Sequence, residues 1–244
     1  MKRGMIRAGI RTLLIQASWN YERLVGVGVA FISEPLLRDL PGGVEGERYK
    51  AALGRAAQHF NGHPYLVGLA VGALARVEHD GLPPEQVMRL RTALTGPLGS
   101  VGDKLIWAGL LPVASAVGLV LAVWSSPAAA VIAFLLVYNT VHFTLRGWAL
   151  KSGWSSGIEV GKRLGAPTLK LGLKVAGPLA ALTVGFALPV VAAWLVRHVE
   201  VHELAGVGLI AGVGVVFGRW VWPTLGGNRF GLAAMAVALI LGWL

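Results

Sequence analysis

Thr95-Gly96-Pro97-Leu98-Gly99-Ser100-Val101-Gly102-Asp103-Lys104 marks the point at which the chain changes character. Before it the sequence is charged and broken into short segments. After it come long apolar runs. A glycine-rich turn holding one carboxylate at the mouth of a hydrophobic helix is what a polar site at membrane depth requires. Unwound backbone there is tolerated only where protein or a water-filled cavity surrounds it. The stretch therefore divides the chain into a polar region, residues 1–104, that carries the candidate site, and a helical membrane region, residues 105–244.

Composition agrees with that division. Of 244 residues 55% are hydrophobic and 14% charged, whereas a soluble domain carries charge on about a quarter of its positions. No cysteine is present, which removes disulfides, thiol catalysis and thiolate metal sites. The net charge of +10 invites a nucleic-acid reading, but basic residues also gather beside membrane spans on the cytoplasmic side. With this hydropathy the membrane explains the charge, and no nucleic-acid partner is expected.

Downstream of the stretch five runs are expected to cross: Leu105 to Val123, Ala128 to Leu145, Val175 to Val196, Leu204 to Trp222 and Phe230 to Leu244. The fold class is thus an all-α integral membrane protein with about five transmembrane helices. The loop 146–174 holds Arg146, Lys151, Lys162, Arg163, Lys170 and Lys174 against Glu159 alone, so it is placed in the cytoplasm. The basic arm Met1 to Arg11, read as a retained amphipathic helix, lies on the same side, with the C-terminus outside. Gly208 with Gly212 and Gly214 with Gly218 repeat a small-xxx-small spacing suited to tight helix packing.

Upstream, residues 24–33 and Leu66 to Ala75 are apolar but short. A bilayer needs about 20 such residues, so each is read as a buried or re-entrant segment. Glu34-Pro35 is expected to end the first, and Gly68 and Gly72 give the second a smooth face for packing. A surface helix is expected over Glu45 to Gln58, and Glu85 opens another with Val87, Leu90 and Leu94 on one face.

Three polar clusters can carry chemistry. Gln16-Ala17-Ser18-Trp19-Asn20-Tyr21-Glu22-Arg23 combines amides, a carboxylate and aromatics: hydroxyls of a sugar need donors and acceptors, and a pyranose face stacks on a ring. The plainer reading is an interfacial helix start with Glu22 and Arg23 paired locally. Asn61-Gly62-His63-Pro64 is either the break heading a re-entrant hairpin or an ordinary turn. Asp103 is either an intramembrane functional carboxylate, with Lys104 placed to neutralise it, or the cap of the following helix.

Other signals fail. Gly157-Ile158-Glu159-Val160-Gly161-Lys162 lacks the spacing and hydroxyl of a phosphate loop. His198, Glu200, His202 and Glu203 stand at metal-ligand spacing without a fixed third ligand. No triad is legible, so neither a catalytic residue nor a metal or other cofactor is expected. His142 and Arg146, at the end of a span, are read as snorkelling.

The segments Gln16 to Arg23, Phe60-Asn61-Gly62-His63-Pro64-Tyr65, and Gly96 to Asp103 followed by Trp107 resemble, in order and spacing, the IID subunit of the mannose/fructose/sorbose family of phosphotransferase-system (PTS) permeases. The resemblance is strongest from about Arg11 to Pro112. It implies a bacterial inner-membrane location and a IIC membrane subunit as partner, in a trimer of IIC–IID heterodimers. It further implies a hexose or related sugar as cargo, phosphorylated by separate IIA and IIB proteins, with membrane lipid around the helices. By this resemblance Gln16, Trp19, Asn20, Glu22, Asn61, His63 and Asp103 are the substrate-binding residues. The departures are Thr95-Gly96-Pro97-Leu98-Gly99-Ser100, where the family commonly has Met-Gly-Pro-Leu-Ala-Gly, and Lys104, where it places proline or serine. Lys104, together with a C-terminal half shortened around Arg197 to Leu204, keeps a second reading open: a non-transporting regulatory or scaffold protein of IID type.

Overall fold

The computed structural model describes residues 4–198 and 200, and among them the chain is all-α, with no strand beyond two isolated bridges, Asn20 with Leu24 and Leu24 with Phe60. The chain divides after Leu188 into two units. The spans expected at Leu204 to Trp222 and Phe230 to Leu244, the small-xxx-small pairs, His202 and Glu203 lie outside the described residues.

The first unit opens with α1 (Met5–Arg11) and α2 (Gly26–Leu37), followed by α3 (Glu47–Ala56), α4 (Val67–His79) and α5 (Pro84–Leu94). Next come α6 (Pro97–Leu105), a π-helical turn at Ile106–Leu110 and α7 (Leu111–Trp124). Then follow α8 (Pro127–Ser156), the single turn α9 (Gly161–Leu164) and α10 (Pro167–His198). In the second unit the described end of α10 stacks Trp194 on His198 at 4.8 Å. Three helical stretches, Pro84–Trp124, Pro127–Leu164 and Leu169–His198, are long and apolar enough to cross a membrane. They contain the first three spans expected from the sequence.

Residues 67–75 of α4 are all buried. Its apolar residues run round the whole circumference, and such a helix is stable only inside a protein or a bilayer. It packs on α8 with the backbones almost touching: a Cβ at Gly72 would stand 2.4 Å from the Leu150 carbonyl oxygen, and one at Gly153 would stand 2.2 Å from that of Leu69. The smooth glycine face expected on this segment is thus used against α8. Val29, Ile32, Leu36 and Leu37 of α2 complete the core.

Several sequence expectations need correction. Glu34-Pro35 does not end α2, which continues to Leu37. Pro35 has no N–H for the Phe31 carbonyl, but that carbonyl accepts instead from Arg11 Nη1 at 2.7 Å. The same Arg11 nitrogen reaches Glu34 at 2.7 Å, and Arg38 Nε reaches it at 2.5 Å. Burial alone would push the Glu34 carboxyl up, but the bonds from Arg38 and Arg11 hold it below its ordinary value. The 146–174 stretch is not a loop either: α8 runs on to Ser156, a 3₁₀ turn and α9 follow, and α10 begins at Pro167. Lysine and arginine are good helix formers, so a basic connection at a membrane surface need not unwind.

Thr95 to Lys104 is likewise helical rather than an open turn. The break is confined to extended Thr95 and to Gly96 at φ +91°, after which Pro97, pre-set for a first helical position, starts α6. The irregular backbone lies instead in the π turn at Ile106–Leu110. The surface helix expected from Glu45 is shorter: Gly43–Glu45 is a 3₁₀ turn and α3 starts at Glu47.

Candidate functional site

The three polar clusters, far apart in sequence, meet at one junction, and main-chain hydrogen bonds hold them together. Leu24 adopts φ +49°, unusual for a branched side chain, and this reverses the chain after the first cluster. Leu24 N donates to Asn20 O at 2.8 Å, Phe60 N to Arg23 O at 3.2 Å, and Val25 N to Phe60 O at 3.2 Å. The second cluster is joined to the third in the same way. Gly96 N donates to Asn61 O at 3.2 Å and His63 N to Leu98 O at 3.3 Å.

Within this frame the candidate residues differ in what they have free. Gln16, Trp19, Glu22, Asn61 and Asp103 are exposed. Trp19 meets Tyr21 edge-on at 4.8 Å. Glu22 pairs with Arg23 at 3.6 Å across open surface, as the plainer reading of that cluster had it. Asn20 is committed to its own turn: Nδ2 donates to Ser18 O at 3.1 Å and Oδ1 accepts from Arg23 N at 2.8 Å. Asn61 uses only its main-chain carbonyl. Asp103 forms no ion pair with Lys104 among the described residues. Successive helical residues point about 100° apart, which keeps the two side chains from closing a direct pair.

His63 is buried, at 2% exposure. Its Nδ1 accepts from Tyr65 N at 3.2 Å, while Nε2 has no partner among the described residues. The ring lies against the backbone of α6: a Cβ on Gly102 would fall 2.1 Å from His63 Cβ. Burial pushes the imidazole down to about 4, with Asp103 opposing and Arg146 adding to the shift. His63 is therefore neutral at physiological pH. Trp107, 5.5 Å away, and Tyr65, at 4.9 Å, flank it.

A further group behind the junction was read differently from the sequence. Arg146 does not snorkel; it is buried at 7% exposure. It donates through Nε to His142 Nε2 at 2.6 Å and through Nη1 to the carbonyl of Thr12. Because the guanidinium can only donate, His142 must accept at Nε2 and carry its proton on Nδ1, facing Asn139 Oδ1 at 3.4 Å. Tyr65 stacks on His142 at 4.2 Å and shares a 2.8 Å hydrogen bond with the Tyr138 hydroxyl. The signal was present: Tyr138, His142 and Arg146 stand four apart and so share one face of α8.

The segments joined at the junction carry exposed amides, carboxylates and an indole, and a buried, uncharged histidine lies among them. Such an assembly suits the binding of a polyhydroxylated ligand rather than bond-making. No group of three metal-ligating side chains occurs among the described residues.

The model of the PTS system mannose/fructose/sorbose family IID component matches residues 1–204. The fructose permease IID component of Bacillus subtilis (strain 168) is 28% identical over 195 residues, covering 75% of this chain and 70% of its own. The mannose-specific EIID component of Escherichia coli (strain K12) is 30% identical over 183 residues, and there the chain spans 64% of the relative's length. A solved membrane protein superposes with a TM-score of 0.67 at 26% identity, over 75% of this chain and 68% of that one. The cryo-EM structure of the mannose transporter ManYZ with microcin E492 shares the fold at a TM-score of 0.60 and 21% identity, over 98% of this chain and 95% of that one.

Proposed function

The chain belongs to the mannose/fructose/sorbose family of PTS IID components, and from that premise we propose that it is the IID half of a sugar permease. It assembles with a IIC membrane subunit, as a trimer of heterodimers, in a bacterial inner membrane. The N-terminus and the basic end of α8 face the cytoplasm, and the C-terminus faces outward. The pair binds a hexose or related sugar and carries it inward, where separate IIA and IIB proteins phosphorylate it. The single observation that carries this reading is the convergence of the three clusters through main-chain bonds between Arg23, Val25 and Phe60, Asn61 and Gly96, and His63 and Leu98. A frame built from backbone leaves the side chains of Gln16, Asn61 and Asp103 free to meet ligand, with Trp19 and Glu22 exposed beside their neighbours Tyr21 and Arg23. Asn20 and His63 then shape the site from within.

The test is to purify the chain with a IIC subunit and titrate the complex calorimetrically with mannose, fructose, glucose and N-acetylglucosamine. A stable complex that binds one of them supports the reading and fixes the sugar. A stable complex that binds none overturns the hexose assignment and points to a ligand selected by Lys104. No complex at all favours the scaffold reading.

A further inference from the structure

Trp107 lies four residues after Asp103, where α6 gives way to the π turn Ile106–Leu110. Its indole is 47% exposed. The ring centroid stands 5.5 Å from that of His63, at 58° to it. Asp103 acts on the same imidazole, where its charge opposes the effect of burial. Two exposed side chains thus flank one buried ring, and the junction holds that ring's backbone through the bond from His63 N to Leu98 O. A π turn inside an α-helical run is rare and is found mostly at functional sites. Here the turn is packed rather than loose: a Cβ on Gly109 would stand 2.7 Å from Ala176 Cβ of α10.

We propose that Trp107 is the platform on which the ring of the sugar stacks, with the Asp103 carboxylate accepting its hydroxyls; this rests on the sugar reading of the junction. Amides and carboxylates exchange hydrogen bonds with water for hydrogen bonds with ligand at small net gain. Affinity therefore needs apolar area removed from water, and small-molecule sites combine a few polar groups with aromatic walls. A pyranose carries hydroxyls round its edge and C–H groups on its faces. Those slightly positive hydrogens suit the negative face of an indole. Trp107 offers such a face beside a carboxylate. An indole serving only as a membrane-interface anchor needs neither the π turn nor the place against His63.

The experiment is calorimetric titration of the purified complex with IIC, using whichever of mannose, fructose, glucose and N-acetylglucosamine the parent complex binds. Trp107→Ala is expected to raise the Kd about 30-fold, and Trp107→Leu, which keeps apolar bulk without a ring, about tenfold. Trp107→Phe, with a smaller ring face, raises it about threefold. Trp124→Ala removes another exposed indole, at the end of α7, and leaves the Kd unchanged. Unchanged affinity in Trp107→Leu overturns the proposal and makes the indole a lipid or subunit contact. An equal loss in Trp124→Ala overturns it too. If Trp107→Ala does not assemble with IIC, the Leu and Phe variants decide, and equal affinities in those two count against stacking. A parent complex that binds none of the four sugars overturns the sugar reading itself, and this assignment with it.

Discussion

The guanidinium carbon of Arg146 sits 4.7 Å from the centre of the Tyr65 ring, which places a buried cation of α8 directly behind the second polar cluster. The same side chain bonds the carbonyl of Thr12, four residues before Gln16. One residue thus fixes two of the three clusters against the membrane helix. Cation–π contact and two charge-assisted hydrogen bonds outweigh the cost of burying the charge only while all three partners remain in place.

Arg146→Met is therefore expected to destabilise the chain by about 3 kcal/mol, since it leaves His142 and the Thr12 carbonyl unmatched. Denaturant or thermal unfolding measures this directly. Arg146→Lys restores the charge but not the two-sided geometry and recovers less than half of the loss. A Met variant as stable as the parent would show that the cluster is not structural.

Asn61 and Asn20 separate binding from framework. The Asn61 side chain is exposed and only its main chain is bonded, so Asn61→Ala changes stability by less than about 0.5 kcal/mol. Uptake nevertheless falls to background. Asn20→Ala deletes both bonds of its turn and costs about 1–2 kcal/mol before any effect on transport. Normal uptake with Asn61→Ala would remove Asn61 from the site.

Gly72 faces backbone on α8: besides the Leu150 oxygen, the Trp154 nitrogen lies 2.5 Å from its absent Cβ. Neither atom can rotate aside. Gly72→Ala forces the helices apart and costs about 3 kcal/mol or more. Gly54, with open space where its Cβ would point, is the control, and Gly54→Ala in α3 stabilises by about 0.5–1 kcal/mol. Equal behaviour of the two variants would contradict the packing of α4 on α8.

His63 predicts a pH dependence. Its folded value, about 4, lies below the ordinary 6.5. The unfolded chain therefore binds a proton that the native chain refuses between those values. The neutral form's contribution is intact above pH 6.5 and is lost progressively as pH falls toward 4. Between pH 7.5 and 5.5 the loss is about 1 kcal/mol, and unfolding at the two pH values measures it. His63→Gln, which cannot titrate, should flatten that slope; an unchanged slope would assign it to other groups.

Long-range features of the fold were legible because they depend on composition over many residues. The three described spans, the buried character of residues 67–75 and the glycine face of Gly68 and Gly72 all follow from hydrophobic pattern and residue size. What misled was local chemistry overridden by a distant partner. Pro35 reads as a helix end because the sequence does not reveal that Arg11 reaches the carbonyl it strands. Gly99, Ser100 and Gly102 read as a turn, yet Gly102 is glycine because the His63 ring leaves no room for a Cβ. Arg146 reads as a span terminus because neither Thr12 nor Tyr65 is near it in sequence. For the site, the clusters themselves were visible, whereas their joining by main-chain bonds leaves no side-chain signature.

That joining has an evolutionary side. Every residue except proline carries the same N–H and C=O groups, so a junction tied by Phe60, Gly96 and Leu98 through them does not depend on what the neighbouring side chains are. Gln16, Glu22, Asn61 and Asp103 can drift without loosening the scaffold that presents them. On the proposed reading of these residues, selectivity can then diversify while architecture stays fixed, a modularity in which the ligand-facing letters are rewritten and the grammar holding them is not.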